Sequence, residues 1–201
     1  MEPLYVCVEE ENKIIPSTFS MTDWKIGDVY RMRVVHVNSP TDFWIVKSPE
    51  LFEKFHNNLY DFYTKYGRTH RLIALSTLNR YWIVYVDGWY CRAILTTNPS
   101  LVDYLKWQQV FLVDFGRYTY VRTTDFFWFT DELHNVPQFS IRATLTEPSR
   151  YQSPVPPAIT ANFKDMFKKK ILLVKLTGVD NCRGIIHLDL FKSRIEKIAL
   201  E

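Results

Sequence analysis

Residues 81–95 read YWIVYVDGWYCRAIL. Two runs rich in aromatic and β-branched residues, YWIVYV (81–86) and WYCRAIL (89–95), flank Asp87-Gly88. That dipeptide suits a two-residue hairpin turn, because both turn positions take positive φ and neither residue resists it strongly. The rings crowded about the turn suit ordinary cross-strand packing or the wall of a pocket that holds a cation. Downstream, QVFLVDF (109–115) and YTYVR (118–122) are two more short strands, and Gly116 lets the chain bend between them. Four closely spaced strands with no helix between them predict a small antiparallel barrel.

The segments on either side have a different character. DVYRMRVVHV (28–37) and FWIVKS (43–48) read as strands joined by the turn residues NSPTD (38–42). A helix is predicted over 49–66. Ser48 can cap it, Pro49 suits its first position and Glu50 favours the positive end of its dipole. Leu51, Phe52, Phe55, Leu59, Phe62, Tyr63 and Tyr66 recur as one apolar face, and Gly67 is placed to end the helix. Residues 68–80 read as a connector.

After residue 138, FSIRATLTEP (139–148) is a strand and the proline-rich RYQSPVPPAIT (150–160) a loop. TANFKDMFKKK (160–170) is a short helix capped by Thr160. ILLVKLTG (171–178) and GIIHLDLF (184–191) form a hairpin, and KSRIEKIALE (192–201) can be a last helix. Neither flank is thick enough to hold a core alone. Together they make one barrel capped by helices, with the small barrel inserted into it.

Composition limits what such a chain does. The 201 residues include 14 Phe, 12 Tyr and 6 Trp, a load that favours strands and recognition surfaces. A net charge of +3 is too small for the strongly basic face of a dedicated nucleic-acid protein. Cys7, Cys91 and Cys182 are odd in number and far apart, which suggests free thiols in a reducing compartment and no zinc site. The first residues, MEPLYVCVEEEN, lack a signal peptide's apolar centre, and no run approaches the ~20 apolar residues of a membrane helix. Asp28, Asp42 and Asp189 cannot be assembled with nearby arginines into a metal-assisted cleavage site. The histidines are scattered, so no catalysis and no cofactor are expected.

DGWYCRA (87–93) followed by VFLVDFG (110–116) resembles the Tudor pattern D-G-x-W-Y-R-A followed by V-F-x-x-D-Y-G-N. GDVYRMRVVHVNSPTDFWI (27–45), IRATL, FKDMF and ILLVKLTGVDNCRGIIHLDLF resemble the two parts of a staphylococcal-nuclease-like barrel. Over about 24–201 the chain is therefore similar to an extended Tudor domain. The fold implied is mainly β with helices (α+β): a Tudor barrel inserted in an OB-like nuclease-type barrel and joined by a long helix. The implied divisions are an arm over 1–23, the first part of the host barrel with its helix over 24–66, the Tudor barrel over 67–137 and the rest of the host over 138–201.

The resemblance implies a non-catalytic adaptor. It would bind the N-terminal arginine-rich segment of a PIWI-clade Argonaute in the piRNA pathway, within a perinuclear cytoplasmic germ granule (nuage), with no membrane involved. In the family, four rings box a symmetrically dimethylated arginine, and an asparagine after the D-Y-G accepts a hydrogen bond from it. Carried onto this chain, Tyr85 takes the first ring position. The second falls on Cys91 if Arg92-Ala93 is the anchor, or on Tyr90 if the preceding Trp-Tyr is. The first anchor is preferred, because Ala93 fits the small position after the arginine. Leu112 takes the third position, Phe115 the fourth and Arg117 that of the asparagine.

With few rings left and a cation in place of the acceptor, the domain is expected to read arginine without needing its methylation. RNA binding through Lys168, Lys169 and Lys170, or self-association through other parts of a longer protein with a vestigial Tudor site, are the alternatives. The bland readings are core packing for Trp82, Trp89, Tyr85 and Phe115, a structural thiol for Cys91, a turn organiser for Asp114 and a solvated helix end for the lysines.

Overall fold

The structure is a computed structural model that describes residues 14–70, 81–96, 107–146, 155–168 and 170–190. In chain order its elements are α1 (Thr18–Met21), β1 (Val29–Ser39), β2 (Asp42–Val46), α2 (Pro49–His70), β3 (Tyr81–Val86), β4 (Trp89–Leu95), β5 (Trp107–Leu112) and β6 (Arg117–Arg122). They continue with β7 (Phe126–Phe127), β8 (Ser140–Leu145), α3 (Pro157–Phe167), β9 (Ile171–Asp180) and β10 (Ile185–Leu190). The final helix expected over 192–201, Cys7, and most of the 68–80 connector lie outside the described residues.

Strands from both ends of the chain close a barrel in the order β1-β2-β8-β10-β9. All its neighbours are antiparallel except β8 and β10, which run parallel. Alternate residues point inward: Met32 and Val34, Phe43 and Ile45, Ile141 and Ala143, Val174 and Leu176, Ile186 and Leu188 are all buried together. Phe163 of α3 plugs one side of this core, its ring 5.4 Å from that of Phe43. The period-2 pattern read from the sequence is the physical cause, since only one face of each strand is apolar.

Everything from β3 to β7 is inserted between β2 and β8. It forms a second sheet in the order β6-β5-β4-β3-β7. Each of its strands contributes to one core: Trp82 and Val84, Cys91 and Ala93, Val110 and Leu112, Val121, and Phe126. The architecture is thus mixed α+β and mostly strand, a closed five-strand barrel with a second sheet inserted in it.

Several local expectations are corrected. Helix α2 does not stop at Gly67 but continues to His70. Gly67 is buried instead, facing the Phe127 ring and the Tyr90 hydroxyl. The buried face of α2 is Phe52, His56, Leu59, Tyr63 and Gly67, whereas Leu51, Phe62 and Tyr66 are exposed. Helix α3 begins at Pro157, with Pro156 rather than Thr160 at its cap. Strand β5 ends at Leu112, so Val113–Gly116 form a turn. Trp82 is core, but Trp89 is 45% exposed. Within the stretch read as an arm, Ile15 is buried against Tyr81 and Val113, and its N–H donates to the Tyr81 hydroxyl at 3.2 Å.

Gly116 marks a close approach between the two lobes. It has φ +66°, and a Cβ there would sit 1.9 Å from Cδ2 of Trp44 on β2. Only a residue without a side chain lets the turn lie flat on that indole.

Candidate functional site

The β3–β4 hairpin sets the orientation of the predicted site residues. Asp87 (φ 53°) and Gly88 (φ 84°) form the turn, and the ladder runs Val86↔Trp89, Tyr85↔Tyr90, Val84↔Cys91 with no bulge. Paired residues share a face, so Tyr85 stands beside Tyr90 and Cys91 beside Val84. The Tyr85 and Tyr90 rings are 4.9 Å apart. Tyr90 also packs against Tyr63 (5.4 Å) of α2 and against Phe127 (5.2 Å). Tyr85 itself is 40% exposed.

Cys91 (2% exposed) and Leu112 (0%) lie instead inside the second sheet's core. Burial pushes the Cys91 thiol well above its ordinary pKa, and the nearby Asp114 carboxylate adds to that, so it has no nucleophilic character. Phe115 sits at the seam between this core and α2, its ring 5.3 Å from Phe52 and 5.0 Å from His56. Arg117, at the start of β6, forms an ion pair with Asp87 across the hairpin. The structure therefore brings Tyr85 and Tyr90 together and groups Cys91 and Leu112 separately. Tyr85 and Phe115 have different ring partners.

Phe115 and Arg117 open onto a cleft of about 630 Å³ where the inserted sheet, α2 and the barrel meet. The sheet supplies Asp87, Trp89, Phe115 and Arg117, and α2 supplies Phe52, Glu53, His56 and Asn57. The barrel side supplies Arg33, Val34, Val35 and His36, and α3 adds Lys164 and Lys168. Arg33 pairs with Glu53 at 2.6 Å.

Two histidines in this cleft have pKa values lowered from that of a free imidazole. Burial is the main cause that lowers the pKa of His36. The Asn38 side chain, 2.9 Å from Nε2, opposes it, and the charges of Arg117, Lys164 and Lys168 lower it further. His56 is buried, and neither ring nitrogen has a hydrogen-bond partner. Burial lowers its pKa most, the Asp114 carboxylate opposes this, and the Arg92 charge reinforces it. The Tyr90 carbonyl also pulls upward, without forming a bond of ordinary geometry.

Arg92, the residue that anchors the family pattern, and Asp114 form a buried ion pair. Arg92 Nε and Nη2 donate to the two oxygens of Asp114 at 2.8 and 2.7 Å, and both side chains are fully buried. Nη1 donates to the Leu133 and Val136 carbonyls (3.1 and 2.5 Å), and Nη2 also to that of Pro137 (2.8 Å). Asp114 in turn accepts from the Phe139 N–H at 3.1 Å. The guanidinium lies 4.7 Å over the Phe55 ring. One arginine thus ties β4 to α2 and to the segment that returns the chain to the barrel. Asp114, read from the sequence as a turn organiser, spends its carboxylate on Arg92 and on the Phe139 N–H, while the turn's own hydrogen bonds run from the Phe115 and Gly116 N–H to the Leu112 carbonyl.

The Tudor domain family matches residues 25–147, more than half of the chain. The chain belongs to the Tudor domain family. No curated protein matched it. Among solved structures, this Tudor chain is similar to the extended Tudor domain of human TDRD1 in complex with a symmetrically dimethylated E2F peptide (TM-score 0.68, 19% identity, 90% of this chain and 87% of that one). It is also similar to extended Tudor domain TD3 of mouse TDRD1 with a dimethylarginine-containing MILI peptide (0.63, 16%, 84% and 85%). A third match is a complex of Tudor with dimethylated Aubergine (0.61, 17%, 82% and 94%). At these identities the likeness concerns the extended Tudor fold. Among the described residues no cluster of His, Cys, Asp or Glu could hold a metal ion, and no helix is long and apolar enough to cross a membrane.

Proposed function

We propose that this Tudor domain is a non-catalytic adaptor that binds an arginine-rich segment of a PIWI-clade Argonaute and does not require the arginine to be dimethylated. The family and the peptide complexes of its structural relatives support peptide reading. The burial of Cys91 and Leu112 within the second sheet's core supports the second half. Leu112 takes a ring position that the family pattern assigns and has no quadrupole for a cation; Cys91 does so only on the Arg92-Ala93 anchor, whereas the bulge-free hairpin puts Tyr90 beside Tyr85. A cation–π contact contributes ~0.5–2 kcal/mol per ring, so each ring position without a ring weakens the reward for methylation. Tyr85 and Tyr90 face each other and α2, and Arg117 stands where the family has a hydrogen-bond acceptor.

The guest would lie in the cleft between sheet, α2 and barrel. Trp89 and Phe115 offer ring faces there, and Glu53 and Asp87 offer carboxylates. On this reading the module would serve as the first Tudor domain of a Krimper-like insect adaptor, acting in a perinuclear germ granule. Calorimetry with matched unmethylated and symmetrically dimethylated arginine peptides tests the reading. Affinities within about threefold of each other are expected, since that is less than one ring contact. Clear preference for the methylated peptide refutes it.

A further inference from the structure

The cleft is not electrostatically matched to arginine alone. Its cations are Arg33, Arg117, Lys164 and Lys168, and its anions are Glu53 and Asp87. The two arginines are each paired with one of those carboxylates. That leaves Lys164 and Lys168, which form no ion pair among the described residues. They are one helical turn apart on α3, so both point to the same wall. Arg117 comes to that wall from the inserted sheet, and all three cations bear on His36 of β1. Lys168 caps the C-terminus of α3, where the dipole favours a cation, but the dipole does not explain the convergence of a second strand's arginine. Asp165, between the lysines in sequence, does not line the cleft.

We infer that the guest segment carries a carboxylate side chain, Asp or Glu, near its arginine, and that this carboxylate seats against Lys164 and Lys168 beside His36. The inference rests on the peptide-binding reading above and adds the second half of the guest's chemistry. A peptide with both signs of charge suits a cleft with both signs. A polyanion such as RNA would place phosphates against Glu53 and Asp87 as well as against the lysines. Phe52 and Phe115 add apolar surface to the same cleft, which suits a peptide whose charged side chains are spaced by small residues.

The test uses fluorescence anisotropy with labelled glycine–arginine peptides of about twelve residues. One carries two glutamates in place of glycines and its control carries two glutamines. The glutamate peptide should bind about five- to tenfold more tightly, the range expected for two exposed lysine pairs, and the gap should shrink as salt is raised. In the double variant Lys164→Glu, Lys168→Glu the preference should vanish or invert. Both lysines are exposed, so the fold should be unaffected, which a thermal melt checks. Equal binding of the two peptides to the wild type overturns the inference and leaves arginine reading intact. So does a glutamate preference that persists in the double variant. Failure of every arginine peptide to bind overturns both readings. An oligouridylate that binds more tightly than the glutamate peptide and depends on the same lysines overturns the choice of a peptide carboxylate.

Discussion

Replacing Arg92 with lysine keeps the charge and most of the length but discards the fork. Arginine has five N–H donors, and here all five are used: two on Asp114 and three on the carbonyls of Leu133, Val136 and Pro137. An ammonium has three. At least two buried acceptors therefore lose their partner, each at a cost of about 1–3 kcal/mol. The ring contact with Phe55 weakens as well. Arg92→Lys should cost about 3 kcal/mol, and Arg92→Met, which strands the Asp114 carboxylate, about 3–5 kcal/mol. Against a typical domain stability of ~5–15 kcal/mol these are large losses.

Urea denaturation followed by tryptophan fluorescence measures them. With a slope of roughly 1–3 kcal/mol per molar, the Lys variant's midpoint should fall by about 1–3 M. Arg92→Met combined with Asp114→Leu should be less damaging than the sum of the single changes by more than about 1.5 kcal/mol, because neither charge is left alone. A loss below about 1 kcal/mol for Arg92→Lys, or additive effects in the double variant, would show that the pair does not hold the lobes together.

Three further outcomes follow from particular contacts. His56 has a folded pKa below its unfolded value, so below about pH 6.5 the unfolded chain takes up a proton that the native state refuses. Stability should then drop as pH falls, by at most ~1.4 kcal/mol per unit from this residue, until the folded pKa is reached. His56→Phe, which keeps a ring against Phe52 and Phe115, should flatten that slope in urea titrations at pH 5 to 7, leaving the part due to His36. Gly116→Ala should destabilise by about 2–4 kcal/mol, adding a left-handed backbone cost to a collision with Trp44 that must shift the indole; differential scanning calorimetry reads the loss. Under native conditions iodoacetamide should modify exposed Cys182 and spare buried Cys91, and peptide mapping distinguishes the two sites.

What could be read beforehand followed the range of the forces involved. The hairpin at Asp87-Gly88 was legible because a two-residue turn with positive φ admits few sequences, and the alternation in β1, β2, β9 and β10 because each strand has one dry face. The end of α2 was not. Gly67 is a helix breaker by propensity, yet here its small size fits against Phe127 and Tyr90, and packing outweighs the ~1 kcal/mol of propensity. The helix face was misjudged for a related reason. A search for apolar residues passes over His56, although the spacing Phe52, His56, Leu59, Tyr63 pointed to it. Whether Tyr90 or Cys91 stands beside Tyr85 turned on a bulge, a one-residue event that the pattern could not decide. The Arg92–Asp114 pair depends on residues 22 apart in sequence and on carbonyls further still, a contact that no local pattern encodes. The cleft combines residues from three regions of the chain and was equally beyond local reading.

The split barrel also orders events during synthesis. Strands β1 and β2 leave the ribosome first, but their neighbours β8, β9 and β10 follow only after the whole inserted sheet, the last of them ending at Leu190. The insert can collapse on its own core while the apolar faces of Met32, Phe43 and Ile45 still wait for their lids. Barrel closure must therefore be the late and slow step, with the parallel pairing of β8 and β10 as its last latch. A nascent chain stalled before residue 171 would hold a folded inserted sheet beside an unfinished barrel, with sticky strands exposed to chaperones.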